Sequence, residues 1–87
     1  MSHLLEFYGN ECPHCIRMHK LVERLEKEEG VKVDSFECWD NEENEKKLLE
    51  LDKDMCGGVP FFYNTNTKKF ICGEVEYEEL KNWALDK

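Results

Sequence analysis

The chain has no long apolar run. Nothing in its 87 residues approaches the ~18 consecutive apolar residues of a membrane-spanning helix, so no membrane partner is expected. The opening segment MSHLLEFYGN is too short and too acidic for a secretory signal. Basic charge is also scarce. Twelve Lys and Arg face twenty Asp and Glu, a formal net charge of −8, which argues against a nucleic-acid partner read through its phosphates. The acid is spread along the chain and reads as a solubilising surface. Linkers, repeats and low-complexity segments are lacking, so residues 1–87 read as one domain.

Cysteine is not scarce, but it is not arranged as a scaffold. The five cysteines stand at 12, 15, 38, 56 and 72. An odd number cannot pair completely within one chain, and the spacing is unlike the dense, even framework of small secreted proteins. That pattern fits a cytoplasmic setting in which most thiols stay reduced and one pair does chemistry. Cys38, Cys56 and Cys72 read as small apolar side chains, although Cys56 could act as a third redox thiol.

Periodicity supplies the elements. Residues 4–8 form a short apolar run closed by Gly9-Asn10, which predicts a buried strand. Cys12-Pro13 opens a helix, since proline loses nothing at a first helical position. Met18, Leu21, Val22 and Leu25 give it one apolar face, Glu23 and Lys27 an outer pair, and Gly30 its cap. Val31 to Cys38 reads as a second strand, irregular near Ser35. Asp40-Asn41-Glu42-Glu43 resembles a capping box, followed by the stripe Leu48, Leu51, Met55 and a break at Gly57-Gly58. Residues 59–63 and 69–72 predict two strands joined by the turn residues 64–67. Tyr77, Leu80, Trp83 and Ala84 mark a last helix. The order βαβαββα predicts an α/β fold. Its first two strands run parallel through a right-handed crossover, a hairpin adds an antiparallel edge, and helices cover both faces of a four-stranded mixed sheet.

The chemistry concentrates at Cys12-Pro13-His14-Cys15. A C-x-x-C at a helix start, just after a strand, reads as a dithiol site. The sulfurs lie one helical turn apart. The first sits where unpaired N–H groups and the helix dipole favour a thiolate. The second lies deeper and can attack a mixed disulfide. Cys12 is therefore the expected nucleophile and Cys15 the resolving thiol. His14, as imidazolium, would support charge on Cys12, and Arg17 adds to it while Glu11 opposes it. A solvated helix-terminal residue without a role is the alternative for His14.

These residues, with Leu5-Glu6-Phe7-Tyr8-Gly9-Asn10 before them and Gly58-Val59-Pro60 after, resemble the thioredoxin superfamily, and in size and plan its glutaredoxins. The resemblance covers nearly the whole chain in element order. It implies a thioredoxin-like fold and thiol–disulfide oxidoreductase activity in electron transport and cell redox homeostasis. It also implies that Glu6 is a buried carboxylate relaying a proton from the resolving thiol. Pro60 would be cis beside the dithiol, and the backbone of Val59 would pair with an extended substrate segment, with Pro13 also on the substrate side. From the residues alone, Glu6 reads equally as edge-exposed and Pro60 as an ordinary trans proline.

The expected substrates are a disulfide-containing protein or a low-molecular-weight thiol, with a reductase or thiol donor as partner. No resident cofactor or metal is expected, glutathione being a candidate co-substrate, and the chain is expected to be a monomer. The competing reading is a zinc, copper or iron–sulfur binding module built on Cys12, Cys15, His14 or His19 with a further cysteine. A second C-x-x-C at zinc-finger spacing is lacking. A disulfide-bearing adaptor without turnover is a third.

Overall fold

The computed structural model describes residues 3–52, 56 and 59–85. Seven elements follow in chain order: β1 (Leu4–Tyr8), α1 (Pro13–Glu29), β2 (Val33–Glu37), α2 (Glu42–Asp52), β3 (Phe61–Asn64), β4 (Phe70–Cys72) and α3 (Tyr77–Leu85). The strands form one mixed sheet in the order β2-β1-β3-β4. β1 runs parallel to β2 and antiparallel to β3, and the β3–β4 hairpin is antiparallel. This is the predicted fold class.

β1 is central, so both of its faces are covered and it needs no polar alternation. Leu4 faces a core built from Met18, Val22 and Leu25 of α1, Phe62 and Ile71 of the hairpin, and Leu80, Trp83 and Ala84 of α3. Leu5 and Phe7 face the opposite core, with Phe61, Cys38 and Leu48 of α2. Phe7 stacks on Phe36 at 5.3 Å between ring centroids, and Phe62 meets Trp83 edge-on at 5.6 Å. Each fully buried Leu or Phe contributes about 2 kcal/mol through apolar surface removed from water.

Local chemistry sets the element ends. Gly30 takes the left-handed conformation at φ 67°, and its N–H donates to Glu26 O at 3.1 Å, which stops α1. β2 begins at Val33 rather than Val31, because the Glu26 carboxylate takes the Val33 N–H at 3.0 Å where the chain leaves the helix. The cap of α2 is Asn41, whose Oδ1 accepts from Asn44 N at 3.1 Å. Asn44 then donates its side-chain amide to Glu37 O at 2.8 Å, so the pattern is an asparagine cap rather than a full capping box. Leu48 and Leu51 of the expected stripe face the core, while Met55, Gly57 and Gly58 lie outside the described residues. On α1 the ion pair forms between Arg24 and Glu28 at 2.7 Å, one residue along from Glu23 and Lys27. Asn64, fully buried, closes the hairpin. Its Oδ1 accepts from Asn66 N at 2.9 Å and Thr67 N at 3.3 Å, and its Nδ2 donates to Trp83 O at 3.0 Å.

Candidate active site at the start of α1

The turn between β1 and α1 sets the geometry of the dithiol. Gly9 packs directly beneath the indole of Trp39, where a Cβ would collide with the ring; only glycine fits. Glu11 takes φ 65°, a left-handed conformation that costs an L-residue about 1–2 kcal/mol. It reverses the chain so that Cys12 caps the helix. The turn is fastened to the end of β2 through Glu37, whose carboxylate accepts from Asn10 N at 3.0 Å, Trp39 N at 3.0 Å and Asp40 N at 2.8 Å. Asn10 Nδ2 also donates to Asp40 at 2.8 Å.

Cys12 is the N-cap of α1, with extended backbone at φ −87°. Its Sγ accepts from the Cys15 N–H at 3.3 Å. An unpaired helix-terminal amide thus points at this sulfur, in the role that Ser or Asp oxygens usually fill at caps. Both thiols are deeply set, Cys12 4% and Cys15 1% exposed, and both are free. Burial pushes the Cys15 thiol up to about 12, reinforced by its hydrogen bond to Cys12 and by the nearby charges of Cys12 and Glu6, against a backbone hydrogen bond to Gly9. Cys15 therefore stays protonated until something takes its proton.

Glu6 is fully buried on the face that β1 turns to α1. Its Oε1 accepts from Ser35 Oγ at 2.8 Å. Its Oε2 lies 3.3 Å from His19 Nδ1, a charge contact without the alignment of a hydrogen bond. Burial raises the Glu6 carboxyl above its ordinary 4.5, with Glu26 adding to the rise while the Ser35 hydrogen bond and the charge on His19 oppose it. His19 is 35% exposed, and its ring meets Tyr8 edge-on at 4.7 Å.

The other candidate residues fall in distinct places. His14 Nδ1 lies 3.2 Å from Glu74 Oε2, and Arg17 lies 3.1 Å from Glu74 Oε1, so one carboxylate from the segment before α3 holds both side chains on the exposed side of the helix. The Val59–Pro60 peptide is cis. Phe7 pairs with Phe61 in the β1–β3 register, which puts residues 59 and 60 at the same end of the sheet as Gly9 and Cys12. Pro13 is exposed at the first position of α1. Sequence reasoning missed Glu74, Trp39 and Ser35 as parts of this neighbourhood, and it offered His19 only as a metal ligand, not as the neighbour of Glu6. Their partners lie from 11 to 60 residues away, and no local pattern signals them. Cys56 and Cys72, read as apolar packing, are bonded to each other. Among the described residues no group of three or more His, Cys, Asp or Glu is placed to hold a metal ion. Nor is any helix among them long and apolar enough to cross a membrane.

A four-stranded mixed sheet covered on both faces, with a cysteine pair at the first helix start and a cis Val59–Pro60 peptide at the same end of the sheet, is the arrangement of a thioredoxin-like fold. Comparison with solved structures agrees: the chain is similar to the crystal structure of a glutaredoxin from Archaeoglobus fulgidus, with a TM-score of 0.70 and 24% identity, over 95% of this chain and 86% of that one. At that identity the likeness establishes the fold. No family model matches the chain, and no curated protein matches it in sequence.

Proposed function

We propose that the protein is a thiol–disulfide oxidoreductase that works through Cys12 and Cys15. The observation that carries this reading is the Cys15 N–H donated to Cys12 Sγ at the start of α1. It supports negative charge on one sulfur while the other waits, protonated, one turn below. Cys12 attacks a substrate disulfide, one substrate sulfur leaves as thiolate, and a mixed disulfide remains. Cys15 then loses its proton to Glu6 and attacks Cys12 Sγ. The second substrate sulfur leaves reduced, and Cys12–Cys15 is oxidised by two electrons. The substrate class is a protein or low-molecular-weight disulfide. An extended segment would pair with the Val59 backbone beside Pro60, and Pro13 borders the approach. A reductase or thiol donor then restores the dithiol, and the active unit is a monomer in the cytoplasm.

Disulfide exchange at neutral pH is expected to vanish in Cys12→Ser. Cys15→Ser is expected to accumulate a mixed disulfide visible by intact mass. Full exchange activity in Cys12→Ser refutes the reading. With the Cys15 N–H donated to Cys12 Sγ, the reduction potential of the couple is expected to lie above thioredoxin's, about −270 mV.

A further inference from the structure

Two cysteines outside the dithiol are joined. Cys56 and Cys72 form a disulfide between Cα atoms 5.5 Å apart and 16 residues apart in sequence, a separation ordinary for such bonds. Cys56 leads into the segment of Val59 and Pro60. Cys72 ends β4 opposite Phe61. The next residue, Gly73, donates its N–H to Pro60 O at 2.8 Å. The one after, Glu74, holds His14 and Arg17. One covalent bond therefore fixes the chain that carries the cis-proline to the chain that grips the start of α1.

The bond also lies at an edge of the sheet. Ile71 faces the α1/α3 core, so its neighbours Phe70 and Cys72 point to the face covered by α2. But α2 packs on β2, and β4 is the opposite edge of the sheet. Cys72 is exposed there and Cys56 half-buried.

We propose that Cys56–Cys72 is a second thiol–disulfide couple, opened by low-molecular-weight thiols and dithiols, and that its state sets how firmly the Val59–Pro60 segment is held for substrate. The step balances. A reductant thiolate attacks Cys72 Sγ, and Cys56 Sγ leaves and takes a proton. A second thiol then displaces Cys72 from the mixed disulfide. Two electrons reach the cysteine pair, and the reductant departs as its own disulfide. Only the effect on substrate rests on the oxidoreductase reading. Reordering about one residue of backbone on binding corresponds to about a fivefold rise in KM with kcat held.

The Cys12→Ser/Cys15→Ser double variant isolates this couple. It is equilibrated without denaturant in glutathione or dithiothreitol buffers, alkylated, and weighed intact. The expected result is two additional labels on protein whose circular dichroism is unchanged. A bond that opens only in denaturant overturns the couple, whatever becomes of the exchange activity. In the chain that keeps Cys12 and Cys15, Cys56→Ser/Cys72→Ser is expected to raise KM for a disulfide-containing peptide about fivefold; an unchanged KM overturns the control of substrate. If that variant does not fold, the Cys12→Ser/Cys15→Ser protein is titrated with the peptide carrying serine in place of its cysteines, before and after reduction. Equal affinity in the two states overturns the same point.

Discussion

Replacing Glu6 by Gln separates two effects that share one buried carboxyl. Glutamine has nearly the same shape, and its Oε1 can keep the 2.8 Å bond from Ser35 Oγ, but it cannot ionise. In the unfolded chain Glu6 ionises near 4.5, whereas burial raises it above that value in the fold. Below 4.5 both states hold the proton and stability is insensitive to this group. From 4.5 up to the raised folded value, the folded state keeps a proton that the unfolded chain has lost, so stability falls as pH rises, with a limiting slope of about 1.4 kcal/mol per pH unit. The charge on His19 and the Ser35 bond reduce the rise but rank below burial. Urea midpoints of the natural chain and Glu6→Gln, compared from pH 4.5 to 8, are expected to diverge, with the variant gaining relative stability as pH increases. Stopped-flow release of a mixed disulfide is expected to slow on the order of a hundredfold in the variant, since Cys15, at about 12, has lost its proton acceptor. Stability curves that stay parallel over this range would show that Glu6 titrates like a solvated carboxyl and would refute the relay.

Two substitutions test the framework around the site. Gly9→Ala drives a methyl into the Trp39 ring and is expected to lower stability by about 1–3 kcal/mol. The loss should disappear in a Trp39→Ala background, and a loss that persists there refutes the contact. Asn64→Ala leaves Trp83 O and two turn amides without their side-chain partner and is expected to cost about 2–3 kcal/mol in urea unfolding. A cost near zero would mean that water replaces those bonds.

The order of elements is legible because local rules and packing agree along most of the chain. The apolar face of α1, its proline start and its glycine end coincide in residues 12–30, and the unbroken apolar run of β1 matches a strand buried on both faces. Strand ends were harder to read. Val31 looks like a strand residue, but the Glu26 carboxylate of α1 takes the Val33 amide, a partner that lies outside the strand. The dithiol was visible because its spacing is local. The Cys56–Cys72 bond was not, because pairing among scattered cysteines depends on the fold. Glu6 lay between the two cases. The residues before Cys12 placed it at the site, while its burial depended on β1 being an inner strand.

The indole of Trp39 lies over Gly9, three residues before Cys12, and is 57% exposed, whereas Trp83 is enclosed in the core with its Nε1 donating to Lys69 O at 3.1 Å. The molecule thus carries two indole rings in contrasting surroundings, and only one of them rests on the loop that leads to the reactive sulfurs. Emission from that outer ring should follow changes in this loop, while the inner one serves as a steady reference.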